Sequence, residues 1–172
     1  PSSARMWAMA RSRLPAAKYA PGKRVLDAFC YTGGFGLYAA KAGAAEVLGL
    51  DASEPALELA RRNASDNGLS QAAFQKGDVF GTLDDLAKAG RKFDVVVLDP
   101  PKFARNRAAL PDALKGYRRL HSLAMKLLDR DGVLVSCCCT GLIAMTDLEE
   151  LIAQVAVDAK RDTQLLERRG AS

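Results

Sequence analysis

Two residues near the ends of apolar runs have side chains suited to group-transfer chemistry. Asp99 closes FDVVVLD (93–99), and Cys139 closes VLVSCCC (133–139). A cysteine thiolate can add to carbon 6 of a cytosine ring, which makes carbon 5 enamine-like and able to attack a methyl sulfonium. Such a step also needs an acid that protonates or hydrogen-bonds the ring nitrogen, and a base that removes the carbon 5 proton. Asp99 runs directly into Pro100-Pro101-Lys102-Phe103. Two prolines fix an extended turn and remove two amide donors, so they hold the carboxylate at the strand edge. A flipped-out base bonded at its ring or exocyclic nitrogen suits that edge, which makes Pro100, Pro101, Lys102 and Phe103 candidate substrate contacts. Position alone leaves Cys139 balanced between nucleophile and inert filler, since most buried thiols do no chemistry.

The turn DAFCYTGGFG (27–36) is the second candidate. Gly33, Gly34 and Gly36 remove side chains, so backbone can lie against a ligand. A glycine-rich turn is a weak signal, because nicotinamide enzymes use one too. Asp27 separates the two readings. A carboxylate before the glycines would repel a pyrophosphate, whereas it suits the ammonium group of S-adenosylmethionine, which has no phosphate. Asp51 closes the next strand and can accept both ribose hydroxyls, a feature that both cofactor classes share. Asp78 is placed for the adenine amino group, with Val79 and Phe80 beside the ring. Helix capping is the competing role for Asp51 and Asp78. The candidate cradle comprises Asp27, Phe29, Tyr31, Thr32, Gly33, Gly34, Asp51, Ala52, Ser53, Asp78, Val79 and Asp99.

The elements that must position these groups alternate without a break. KRVLDAF (23–29), EVLGLD (46–51), AAFQKGD (72–78), FDVVVLD (93–99), VLVSCCC (133–139) and TQLLER (163–168) read as strands. In 93–99 the apolar residues do not alternate, so both faces are buried, as in a parallel sheet covered by helices. Helices are expected over 35–42, from Ser53 to Asn67-Gly68, over 80–89, 111–128 and 147–160. Thr146 and Glu149 form a capping box for the last of these, and Asp131-Gly132 makes a turn. Residues 5–14 read as a short amphipathic stretch ending before Pro15. The expected organisation is a helical segment over 1–20 followed by one domain over 21–172. Its fold class is α/β: a doubly wound, mostly parallel sheet flanked by helices, of the Rossmann-like kind.

Composition narrows the classes further. The chain has 172 residues, 49% hydrophobic and 26% charged, the balance of one globular domain. A net charge of +5 is compatible with a polyanionic partner. Cys30, Cys137, Cys138 and Cys139 offer no CxxC spacing, and contiguous strand residues face opposite ways, so no metal site is expected. Reduced thiols favour the cytoplasm, and no apolar run is long enough to span a bilayer. Lys102, Arg105 and Arg107, with Arg118 and Arg119, are either phosphate contacts or a solvated face. His121, the one histidine, reads as an ordinary helix residue. Met6, Trp7 and Met9 read as a packing stripe.

The segments VLDAFCYTGGFGLYAAKAGAAEVLGLD, FDVVVLDPPKFARNR and LVSCCCTGL resemble the bacterial large-subunit (23S) ribosomal RNA cytosine-5 methyltransferase family over roughly residues 22–170. That resemblance implies a class I methyltransferase fold, S-adenosyl-L-methionine as donor, and methylation of a ribosomal RNA cytosine at carbon 5 through a covalent cysteine adduct. Cys138-Cys139-Thr140-Gly141 matches the family's Ser-Cys-Ser-Gly segment, which assigns the nucleophile to Cys139. Asp99 matches the acidic residue at the base-binding motif, and Asp27, Asp51 and Asp78 match cofactor contacts. The family's RNA-binding module of the PUA type, its linking subdomain, its GxKTGFFLDQR-like segment and its last antiparallel strand are not recognisable here, so grip on RNA is expected to need the module. In enzymes that methylate exocyclic amines an aromatic residue follows the prolines, whereas Lys102 intervenes here. The alternatives are methylation of a guanine or a protein amine, a non-catalytic cofactor-binding fragment, and a nicotinamide oxidoreductase, against which Asp27 and Asp-Pro-Pro argue.

Overall fold

A computed structural model describes residues 3–9 and 14–169, with side chains described from residue 17 to residue 168. Seven strands, β1 (Ser3–Met9), β2 (Arg24–Ala28), β3 (Glu46–Asp51), β4 (Ala72–Lys76), β5 (Phe93–Leu98), β6 (Leu128–Cys137) and β7 (Asp162–Arg169), form one sheet in the order β4-β3-β2-β5-β6-β1-β7. Every pairing between them is parallel. The helices are α1 (Leu14–Tyr19), α2 (Gly34–Lys41), α3 (Glu54–Asp66), α4 (Val79–Lys88), α5 (Leu110–Leu127) and α6 (Met145–Asp158).

Alternation along each strand sorts the core into two layers. Leu26, Ala28, Val96, Leu98 and Leu134 join α4, α5 and α6 on one face. Val25, Val95, Val97, Val133, Val135 and Cys137 join α2 on the other. β5 is buried on both faces, as its unbroken apolar run requires. The chain winds from β2 outward to β3 and β4, and from β5 outward to β6. The strand order therefore reverses between β2 and β5, and the crevice at their carboxyl ends is where such sheets bind ligands.

Several local expectations hold and several are corrected. Ser53 caps α3 by accepting from the Ala56 amide at 3.4 Å, with Pro55 in the first turn. Thr146 does not cap α6: the helix starts at Met145 after Ala144, with no side-chain cap. The segment 1–20 is not helical throughout, because Ser3–Met9 is a strand wedged between β6 and β7 and only Leu14–Tyr19 is α-helix. Backbone pairing along β6 and β7 offers that segment more hydrogen bonds than one isolated amphipathic turn could make. The side chains of Met6, Trp7 and Met9 lie outside the described residues. β6 begins earlier than expected, at Leu128, and bulges around Asp131 (φ 59) where its register against β5 shifts. It also ends earlier, at Cys137, which leaves Cys138 and Cys139 on the loop beyond.

His121 is more than an ordinary helix residue. It is fully buried on α5, with Nδ1 2.7 Å from the Tyr117 carbonyl and Nε2 2.8 Å from Ser136 Oγ on β6. A neutral ring satisfies both partners by donating from Nδ1 and accepting at Nε2. Burial lowers its pKa from 6.5 to about 4. On acidification the unfolded chain takes up this proton first, so the stability held above pH 6.5 is lost progressively as pH falls towards 4. Between about pH 7 and about pH 5 this single group should remove about 2 kcal/mol. Urea midpoints should show that slope in the wild type and a flatter one in His121→Gln; equal slopes would refute it.

Candidate active site at the strand tips

Backbone hydrogen bonds stitch the carboxyl tips of four strands together. The Gly77 amide donates to the Asp51 carbonyl at 3.0 Å, the Cys30 amide to Leu50 at 3.0 Å, and the Asp99 amide to Ala28 at 3.3 Å. β4, β3, β2 and β5 thus end at a common edge. The next contact is made by side chains: the exposed Cys139 thiol lies 3.9 Å from Asp99 Oδ1, in position to donate to it. The two groups proposed for chemistry, 40 residues apart in sequence, meet at the switch point.

The loop 29–33 is bent by non-glycine residues at positive φ, Phe29 at 64° and Tyr31 at 51°, and by Gly33 at 82°. Backbone conformations of this kind are strained for residues with side chains and persist only when their surroundings enforce them. Three anchors do so here. Asp51 Oδ2 accepts from the Tyr31 amide at 2.8 Å, while its Oδ1 accepts from Ser53 at 2.9 Å. Asp27, with no exposed surface, accepts the Gly36 amide on Oδ2 at 2.8 Å and so ties the start of α2 to β2. Cys30 is buried against Leu57, Ala60, Ala64 and Phe74, and burial pushes its thiol far above the ordinary range. Only glycine fits at position 49, where a Cβ would stand 2.5 Å from the Phe74 ring and 3.0 Å from Cys30 Sγ.

The remaining candidates divide. Tyr31 is 66% exposed over the crevice, and Ala52 and Ser53 are exposed at the tip of β3. Thr32 and Gly34 are half-buried in the loop. Asp78 caps α4 by accepting from Gly81 at 2.8 Å, the competing role foreseen for it. Val79 is buried in the core. Phe80 does face the loop: its ring lies 6.2 Å from Phe29 and 6.2 Å from Phe103, with Arg119 5.1 Å above it. Pro100 is buried, Pro101 and Lys102 are exposed, and Phe103 is half-buried.

The three contiguous cysteines have three environments. Cys137 is buried on the α2 face, and its thiol is pushed far up by burial and then by Asp99. Cys138 points to the opposite face, 3.5 Å from the Tyr117 hydroxyl. Cys139 alone is exposed. Sequence reasoning missed Tyr117 and Thr140, both buried, whose hydroxyls lie 3.1 Å apart beneath Cys139. The available signal was a tyrosine and a histidine four residues apart on an otherwise apolar helix face. Among the described residues no group of histidine, cysteine or acidic side chains is arranged to hold a metal, and no helix is long and apolar enough to cross a membrane.

A doubly wound parallel sheet with a glycine loop, two strand-tip carboxylates and an Asp-Pro-Pro turn is a class I methyltransferase architecture. The profile of the family described as "Methyltransferase domain" matches residues 20–170, and the chain belongs to that family. It is 50% identical over 158 residues to Ribosomal RNA large subunit methyltransferase I of Aeromonas hydrophila, a match covering 91% of this chain and 40% of that protein. The protein of the same name from Tolumonas auensis is 48% identical over 159 residues, again covering 91% and 40%. The chain thus spans about two fifths of the length of these relatives. Among solved structures, the SAM dependent methyltransferase from Agrobacterium tumefaciens superposes with a TM-score of 0.68 at 25% identity, covering 89% of this chain and 49% of that one.

Exposure and ionisation together order the four thiols. Iodoacetamide should label Cys139 first and Cys138 more slowly, with Cys30 and Cys137 reacting only on unfolding. Peptide mass spectrometry reads the order directly, and early labelling of Cys137 would contradict the burial described.

Proposed function

We propose that this chain is the catalytic domain of an S-adenosylmethionine-dependent methyltransferase that modifies carbon 5 of a cytosine in large-subunit ribosomal RNA. The observation that carries the reading is the Cys139 thiol 3.9 Å from Asp99, at the crevice beside the glycine loop. The substrate class is supported by 50% identity to a relative named for large-subunit ribosomal RNA methylation. A cytoplasmic setting follows from that substrate.

The residues present fit the cofactor. Each Asp51 oxygen accepts one amide and retains a lone pair for a ribose hydroxyl. Backbone from Phe29 to Gly34 supplies the wall, with Thr32 and Gly33 inside it, and the Asp27 carboxylate gives that wall negative charge suited to an ammonium group. Tyr31, Ala52 and Ser53 border the ribose side, and Asp78 with Phe80 borders the adenine side. S-adenosylmethionine supplies an electrophilic methyl group when bound.

The chain's own residues then account for activation of the base. Asp99 accepts the Cys139 proton as sulfur bonds to carbon 6, and the same carboxyl can return it to the ring nitrogen, where the electron pair of the ring has moved. Carbon 5 gains nucleophilic character, and S-adenosylmethionine bound there would supply its methyl group, the carbon–sulfur bond breaking to leave the neutral thioether. Loss of the carbon 5 proton to a base expels the Cys139 thiolate, and Asp99 relays the ring-nitrogen proton back to it, so the neutral aromatic ring and the thiol are both restored. Pro100 and Pro101 hold Asp99 at that edge, while Lys102 and Phe103 border the base. Lys102, Arg105 and Arg107 are exposed on the loop after Asp99 and suit phosphate contacts, whereas Arg118 pairs with Asp158 at 3.3 Å.

Isothermal calorimetry with S-adenosylhomocysteine should detect binding to the wild type and a loss of about tenfold or more in Asp51→Ala, the effect of roughly one lost charge-assisted hydrogen bond pair. Equal affinities would remove Asp51 from the site. RNA fragments of the large subunit carrying 5-fluorocytosine should trap a covalent adduct in the presence of S-adenosylmethionine, and Cys139→Ala should abolish it. Methylation that proceeds without an adduct and survives Cys139→Ala would assign the chain to a different acceptor atom.

A further inference from the structure

Asp99 and Cys139 sit on separate loops, one after β5 and one after β6. One buried side chain touches both. Tyr117, with no exposed surface, stands on α5 facing the sheet. Its ring centroid is 4.7 Å from that of Phe103, four residues beyond Asp99 on the Asp-Pro-Pro loop. Gly116 completes the seat, since a Cβ there would come within 3.3 Å of the Phe103 ring. The Tyr117 hydroxyl lies 3.1 Å from Thr140 Oγ1 and 3.5 Å from Cys138 Sγ, the residues on either side of Cys139.

From this geometry we infer that Tyr117 is a positioning residue: its ring holds the Asp99 loop and its hydroxyl holds the Cys139 loop, which brings carboxylate and thiol together. The inference rests on the reading of Cys139 as the reacting thiol. A buried phenol suits the task. Burial raises its pKa well above the usual value, so it stays neutral, keeps one hydrogen for Thr140 and accepts from Cys138. Its own position is fixed one turn later on α5, where His121 Nε2 meets Ser136 Oγ, two residues before Cys138. Thr140 is itself buried, so the hydroxyl pair has no exchange with water to soften it. The hydroxyl is thus expected to act on the thiol only through its distance from Asp99.

That dependence gives a test that needs neither RNA nor methyl donor. Titratable groups facing the Cys139 thiol include Asp99 from the loop after β5, Tyr117 from α5, and the neighbouring Cys137 thiol. A carboxylate close to a thiol disfavours the thiolate. Removing its charge by Asp99→Asn should therefore lower the pH at which Cys139 becomes reactive. The pH profile of Cys139 alkylation by iodoacetamide, localised by peptide fragmentation, is measured in the wild type, Asp99→Asn, Tyr117→Phe and the double variant. Asp99→Asn should speed alkylation near neutral pH by about threefold to tenfold. In the Tyr117→Phe background the same change should alter the rate by less than about twofold, because thiol and carboxylate are no longer held together. An undiminished effect of Asp99→Asn in that background overturns the proposal, as does its absence in the wild type. Thr140→Val breaks the same hydrogen bond from the other end and should reproduce the loss of coupling, which keeps the test decisive if Tyr117→Phe folds poorly. The fluorocytosine adduct is independent: coupling without an adduct would retain Tyr117 as the positioner of the pair and discard the cytosine chemistry.

Discussion

All five strands that matter to the site run parallel, so their carboxyl ends share one edge, and that single constraint makes the rest possible. β2, β3 and β5 end in carboxylates or lead directly to them, and β6 ends two residues before Cys139. Because strand order reverses between β2 and β5, the loops leaving those tips diverge to opposite faces and leave a crevice between them. An antiparallel partner at β5 or β6 would have sent Asp99 and Cys139 to opposite edges.

The edge is made rigid by carboxylates paired with backbone amides. Asp27 holds the start of α2, Asp51 holds the strained turn at Tyr31, and Asp78 caps α4. Each carboxylate accepts backbone amides that the loops would otherwise leave unmet, so these charges shape the loops at the strand tips. On the α5 side, His121 with Ser136 and Tyr117 with Thr140 make two polar crosslinks through an apolar layer. Buried polar pairs of this kind fix one relative placement of helix and strand more strictly than apolar packing does.

Much of this was legible in the sequence. FDVVVLD announced a strand buried on both faces, and the glycine run after KRVLDAF announced the tight turn into α2, because both signals depend on local residue order. Adjacent cysteines had to point apart, and they do. What was not legible depended on distant partners. Thr146 and Glu149 have capping-box spacing, yet α6 begins two residues before the expected start, at Met145, leaving Thr146 inside the helix. The stretch near Trp7 has helical amphipathicity, but a gap between β6 and β7 accepts it as a strand. His121 and Tyr117 gain their roles from Ser136 and Thr140, residues that no periodicity on α5 could identify.

The central claim is that one crevice brings a methyl donor and a nucleophilic thiol to either side of a single pyrimidine. A crystal structure of the chain with S-adenosylhomocysteine tests it most directly. The cofactor's sulfur should point from the loop 29–34 towards Cys139, with Asp99 on the rim and room between the two sulfurs for one flat ring. A cofactor bound elsewhere, or a Cys139 thiol turned away beneath the sheet, would contradict the account.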